Sequence, residues 1–288
     1  MSIQKLKEMH KANKNKVEPL FALIIGQSGA GKSYFSGTSG LPTLFLYLRT
    51  EQHGPQAAAS TNNNILPVCL DKFESSDSGI TGLSNMKIGD VLSPDQTLLK
   101  LKHWSALNLK DEGIGAIVID SLSDLESVIK DSTAFKQACL SATGKHNSYS
   151  EGPELIKKIR EIVLSLNHHT DDGVHCFLTM AGTVTATDEN GAAHTIQPKT
   201  TCFGSAELLP RLFPDILLVS RLTYEGETKF ACIFNGNFER KGKDQAGRVL
   251  KTLNFSPRLT GLSIEDLPDL VKADLKAVLA LKNKKESK

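Results

Sequence analysis

The 288 residues carry 34 lysines and arginines against 32 aspartates and glutamates, a net charge of +2, with 40% hydrophobic and 23% charged residues. That balance belongs to an ordinary globular chain and excludes a histone-like polycation, although a local basic groove is compatible with it. No apolar run reaches the length of a membrane span, the first residues are too polar for a signal peptide, and five cysteines (Cys69, Cys139, Cys176, Cys202, Cys232) without CxxC spacing predict reduced thiols in a cytoplasmic protein rather than a zinc site.

Met1–Lys16 is polar and lysine-rich, which predicts a frayed peripheral helix or a flexible basic arm. The chain divides on composition into that arm (1–19), an α/β core (20–250) and a helical, lysine-rich tail (251–288). The core opens on Leu20–Ile25, an apolar and partly β-branched run suited to a buried parallel strand. Gly26–Gln27–Ser28–Gly29–Ala30–Gly31–Lys32–Ser33 follows and fits G-x-x-x-x-G-K-[ST], with Lys32–Ser39 able to begin a helix. Its glycines let successive N–H groups turn inward around a polyphosphate. Lys32 would then reach the β- and γ-phosphate oxygens and the Ser33 hydroxyl would face Mg²⁺. Residues 26–33, with Tyr34 beside them, are the expected nucleotide contacts, and a nucleoside triphosphate with Mg²⁺ is the expected ligand.

Thr43–Leu48 reads as a second buried strand that ends in Arg49–Thr50–Glu51. Ligands of open parallel sheets bind beyond the carboxyl ends of the strands, so Glu51 either polarises an attacking water or is an exposed loop glutamate. Gln52–Asn64 reads as a loop, Ile65–Leu70 as a short strand and Asp71–Ser93 as a surface insertion. Pro94–Leu109 has a helical pattern that includes the single tryptophan, Trp104, for which packing is the default role. Gly115–Ser121 is a third apolar run closed by Asp120, the Walker B form whose carboxylate would serve Mg²⁺ with Ser33.

Leu122–Leu140 predicts a helix, Ser141–Gly152 a polar loop, and Pro153–His169 a helix with proline at its start. Val174–Met180 predicts a strand that empties into a long polar loop, Ala181–Ala206. Two further strands, Asp215–Ser220 and Lys229–Phe234, precede a charged turn, Asn235–Arg248. Ser263 is placed to cap a last helix with the stripe Val271, Leu275, Val278 and Leu279.

The motifs GQSGAGKS, LYLRTEQ and VIDSLSDL, in this order of elements, resemble the RecA/RadA recombinase core over roughly Leu20 to Arg248. The chain is most similar to the compact phage ATPases of single-strand annealing, RecA-like proteins without the recombinases' accessory domains. The resemblance implies a mainly parallel sheet between helices, ATP hydrolysis with Glu51 activating water, assembly into a ring or filament, and single-stranded DNA and a single-strand-binding protein as partners in the cytoplasm of a host. It also implies two DNA-binding loops, with Lys145, His146 and Tyr149 in the first and His194, Lys199 and Phe203 in the second. Lys241 and Lys243 stand where the family places cations that reach a neighbour's γ-phosphate, or are ordinary surface lysines. The chain departs from the family at His175–Gly182, HCFLTMAG, where a γ-phosphate-sensing amide is replaced by Thr179, Met180 and Ala181. That departure argues against filament switching and strand exchange, and for slow hydrolysis with binding or annealing. The competing readings are a nucleotide-gated regulatory or assembly ATPase without DNA binding, and a nucleotide kinase, for which an arginine-rich lid is missing.

Overall fold

Apolar runs bounded by polar turns become the strands of one sheet. The computed structural model describes residues 18–184, 196–202, 205–224, 227–234, 258–263, 266–268 and 270–283. In chain order these form β1 (Phe21–Gly26), α1 (Lys32–Gly37), β2 (Thr43–Tyr47), α2 (Gly54–Ala59), β3 (Ile65–Cys69), α3 (Pro94–Ser105), β4 (Ala116–Asp120), α4 (Leu122–Asp131), α5 (Thr133–Ala138) and α6 (Ser148–Asp171). There follow β5 (His175–Val184), β6 (Ile196–Pro198), α7 (Ser205–Leu208), β7 (Asp215–Tyr224), β8 (Glu227–Ile233), β9 (Leu270–Lys272) and α8 (Leu275–Asn283).

The strand order is β3-β2-β4-β5-β1-β7-β8-β9, with β6 pairing onto β5. From β3 to β7 along that order the strands run parallel, whereas β8 pairs antiparallel with both β7 and β9. The carboxyl ends of β1, β2, β4 and β5 therefore meet at one edge, and the loops that leave them share a single surface. Period-two alternation sorts the strand residues between the two faces of the sheet. Leu23 and Ile25 of β1 join the core under α3, α4, α5 and α6, with Leu101, Leu125, Phe135 and Ile159. Ala22 and Ile24 join the opposite core, closed by Phe35 of α1, Ala58 of α2, and Leu275 and Val278 of α8. Helices cover both faces, so the strands are apolar on both sides and read as continuous hydrophobic runs.

Several elements differ from the sequence-based expectation. Gln52–Asn64 is not all loop: Pro55 in the first turn and Ala57–Ala59 support α2. The helix expected over Leu122–Leu140 breaks at Ser132, whose Oγ accepts from the Phe135 N–H and caps α5. The helix expected from Pro153 starts at Ser148, capped by the Asn147 side chain, and holds Pro153 inside it. At that sixth position proline removes the N–H that would bond the Tyr149 carbonyl. Tyr149 thus lies on the first turn of α6 rather than in a loop.

The Asp71–Ser93 insertion has its own small core of Phe73, Ile80, Leu83 and Leu92. A buried ion pair fastens it: Lys100 Nζ of α3 donates to Asp77 Oδ2 at 2.5 Å and to the Lys72 carbonyl at 2.8 Å, and Trp104 Nε1 donates to Asp77 Oδ1 at 3.2 Å. Trp104 therefore packs against the main core and also satisfies a buried acid. The expected loop Ala181–Ala206 is in part a hairpin arm, because β5 continues to Val184 and β6 pairs back on it. Ser263 bonds Asp266 in a turn instead of capping the last helix, and Val271 lies in β9. The cap of α8 is Asp274, which accepts from the Lys276 N–H. The expectations for 1–17, His194, Phe203 and the charged turn with Lys241 and Lys243 lie outside the described residues. Among the described residues, no helix is long and apolar enough to cross a membrane.

Candidate nucleotide site

The phosphate-binding motif turns at the carboxyl end of β1, and its geometry needs glycine at two places. Gly29 and Gly31 have φ of 74° and 92°, where side chains are rarely tolerated. A Cβ on Gly31 would also stand 2.4 Å from the Phe230 ring of β8, so the loop backbone is in contact with that ring. Lys32 Nζ donates to the carbonyls of Gly26 and Gln27 at 3.0 Å each, folding the side chain back across the loop mouth. Burial pushes its pKa down, while Asp120 and Glu51 push the other way.

Ser33 Oγ donates to Asp120 Oδ2 at 2.8 Å, which joins the end of the phosphate loop to the end of β4. Asp120 is 2% exposed, and its other carboxylate oxygen accepts from the Thr179 hydroxyl of β5. Burial raises the Asp120 pKa, opposed by the Thr179 and Ser33 hydrogen bonds and by Lys32. Glu51 ends a 3-10 turn that leaves β2 and is half-buried in the same cluster. Burial, the Asp120 charge and a hydrogen bond with Asp124 push its pKa up to about 7, with Lys32 pulling it down. Asp124 belongs to the first turn of α4, where it also accepts from Ser121 Oγ at 2.6 Å. Three carboxylates thus share the field of one lysine, an excess of negative charge suited to a cation.

The donors that meet here, a hydroxyl and carboxylates, are hard oxygens of the kind Mg²⁺ prefers. Among the described residues no group of three or more His, Cys, Asp or Glu forms a metal cage. Ser33 and Asp120 would hold the cation by part of its coordination sphere, and phosphate oxygens would supply the rest, as is usual for Mg²⁺ bound with a nucleotide.

Three further residues shape this site without having been singled out as its members. Thr179 orients Asp120; it stood out in the sequence only as the polar residue of a strand end lacking the expected amide. A Cβ on Gly54 would meet Asp120 Oδ2 at 2.2 Å, so the first residue of α2 must be small. Ser123 Oγ accepts from the Ala181 N–H at 3.0 Å, tying the start of α4 to the hairpin arm.

Of the residues expected on DNA, Lys145, His146, Tyr149 and Lys199 are among those described. Lys145 is exposed on a turn closed by the Ser141 N–H to Lys145 carbonyl bond of 2.7 Å, and Tyr149 is 87% exposed. His146 is engaged: its Nε2 lies 2.7 Å from Glu151 Oε1, an interaction that holds Glu151 below the usual carboxylate range. Lys130 of α4 reaches both Glu151, at 3.3 Å, and Thr201 Oγ1, at 3.1 Å. The buried Glu126 accepts from the Thr201 N–H at 2.7 Å. Lys199, exposed, follows β6. Both expected DNA segments are therefore strapped to the helix that begins immediately after Asp120.

The P-loop motif after β1, the acid that ends β4, the strand β5 between them and helices on both faces give an α/β fold of RecA-like P-loop type, with a mainly parallel sheet. No family model and no curated protein sequence matches the chain. Among solved structures it is similar to a KaiC-like protein of the hyperthermophilic archaeon Pyrococcus horikoshii, with 15% identity over 75% of this chain and 78% of that one and a TM-score of 0.37. The class follows from the strand order and the site; a likeness of that score adds nothing to it.

Proposed function

We propose that the chain is a Mg²⁺-dependent ATP hydrolase of RecA-like type. The observation that carries this reading is the 2.8 Å bond between Ser33 Oγ and Asp120 Oδ2, which brings the P-loop hydroxyl and the Walker B acid to one point beside Lys32 and Glu51. The loop N–H groups and Lys32 bind and orient the phosphates. Ser33 and Asp120 would hold the cation, which would supply positive charge to the bound phosphates. Glu51 accepts the proton of the attacking water, and a pKa of about 7 suits a general base at neutral pH. Phosphate release from ATP, measured with Mg²⁺ and with a chelator, tests the reading. Hydrolysis that needs Mg²⁺ and is lost in Asp120→Asn is expected; chelator-insensitive hydrolysis contradicts it.

The finer reading is that hydrolysis is coupled to assembly on single-stranded DNA. It is supported by the exposure of Tyr149 and Lys145 on the first segment and of Lys199 on the second, with both segments fastened to α4. An open ring stacks on unpaired bases of any sequence, and lysines add a salt-sensitive contribution. Each subunit brings few cations, so affinity comes from several subunits on one strand. Fluorescence anisotropy of a labelled oligonucleotide with MgATP at two salt concentrations checks it. Lys145→Ala with Lys199→Ala flattens the salt dependence, whereas Tyr149→Ala lowers affinity without flattening it. No binding at low salt assigns the chain instead to nucleotide-gated regulation or assembly without DNA.

A further inference from the structure

The triphosphate site has two ends, and they are unlike. Lys32, Ser33, Asp120 and Glu51 all stand on the side of β1 that faces β5, β4 and β2. A linear triphosphate that places its terminal phosphate among them sends its sugar and base the other way, toward β7 and β8. On that side, among the described residues, stands an aromatic pair. The Phe230 ring of β8 lies against the backbone of Gly31, and the Tyr34 ring, one residue beyond Ser33, has its centroid 5.1 Å from that of Phe230 at an interplanar angle of 38°. Phe230 is packed on the core beneath, but Tyr34 belongs to none of the hydrophobic clusters and is only partly buried. Fastening β8 to the loop is accounted for by the contact between Phe230 and Gly31. It leaves the partial exposure of Tyr34 unexplained.

We propose that Tyr34, backed by Phe230, is the platform on which the base of the bound nucleotide stacks; this rests on the assignment of the phosphate site above. A supported ring is the better platform, because Phe230 limits the orientations of Tyr34 and less freedom is lost on binding. Every base has a π-face, so the platform supplies affinity for a nucleoside triphosphate over a bare polyphosphate without needing to read the base edge.

The test is calorimetric titration of the full chain, with Mg²⁺, by ATP and by inorganic tripolyphosphate. The parent binds ATP more tightly than tripolyphosphate. Tyr34→Ala weakens ATP by about five- to a hundredfold, the equivalent of one lost stack, and leaves tripolyphosphate within about twofold. Tyr34→Phe keeps ATP at the parental affinity, because the ring rather than the hydroxyl acts. Unchanged ATP affinity in Tyr34→Ala overturns the platform, and so does an equal loss for both ligands, which marks a damaged loop. If neither ligand binds the parent, the phosphate site itself is wrong and the platform falls with it.

Discussion

The two ends of the parallel sheet bury acids in opposite ways. At the amino end, Asp215 of β7 is 1% exposed and accepts from the Phe21 N–H at 3.0 Å, the Thr260 N–H at 2.7 Å and the Thr260 hydroxyl at 2.9 Å, with Lys282 of α8 at 3.9 Å. Its neighbour His175 accepts from the Leu20 N–H through Nδ1, and burial lowers its pKa to about 4, aided by Lys282 and opposed by Asp215. At the carboxyl end, Asp120 and Glu51 are both pushed up by burial, and with Asp124 beside them three acids share one lysine. The satisfied acid closes the fold; the under-compensated ones are those proposed above to serve a cation and a phosphate chain. Buried charge alone does not distinguish a site from a strut, but the balance of its partners does.

If that distinction is right, changes at the two ends have separable consequences. The largest is expected at Glu51. Glu51→Gln leaves nucleotide binding in place and lowers kcat by roughly 10²- to 10⁴-fold, as removal of a general base does. Because the base form exists only above the raised pKa, parental kcat increases as pH rises through about 7. A stopped assay of phosphate release from pH 5.5 to 8.5 checks both, and a flat profile counts against Glu51 as the base.

Asp215→Ala should do the reverse. It strips the partner from two backbone N–H groups and a hydroxyl, costing about 3 kcal/mol of stability and lowering Tm by several degrees, with kcat in the surviving folded protein near parental. Thermal melts with parallel activity assays would break the comparison if hydrolysis fell as far as stability.

His175 adds a smaller, pH-dependent effect. Its folded pKa lies below the unfolded value of 6.5, so the stabilisation is complete above 6.5 and is lost as pH falls toward 4. The loss is roughly 2–3 kcal/mol. Urea melts across that interval should show it, and His175→Asn, which keeps an acceptor for Leu20, should flatten the slope.

The smallest effect sharpens the carboxyl end. Gly54→Ala brings a methyl to 2.2 Å from Asp120 Oδ2, and Ser33 and Thr179 pin that carboxylate. The Mg²⁺ concentration for half-maximal activity should rise about tenfold, an effect of about 1.4 kcal/mol, without loss of fold.

The strands β1 to β5, β7 and β8 and the phosphate loop were legible because they are local: an apolar run, a glycine turn and an acid at a strand end each lie within a few residues. Asp120 and Ser33, though 87 residues apart, were legible because each closes a local motif of its own. What was hidden depends on pairs distant in the chain. Gly54 carries no motif, and only the folded sheet shows it beside Asp120. The insertion at 71–93 looked structureless because its core is four residues held by Lys100 and Trp104 from a later helix. Ser132 was read through as helix because a serine inside an amphipathic pattern looks the same as one that caps the next segment. Tyr149 was placed in a loop because Pro153 is usually a helix start, and nothing local marks a helix that begins before it.

The central claim is that the carboxyl end of the sheet binds MgATP through the loop at 26–33. The most direct measurement is calorimetric titration with ATP in Mg²⁺, comparing the parent with Lys32→Ala at equal thermal stability. One saturable site per chain in the parent is expected, with affinity reduced tenfold or more in Lys32→Ala and an unchanged melting temperature. Equal ATP affinity in the two folded proteins would contradict it.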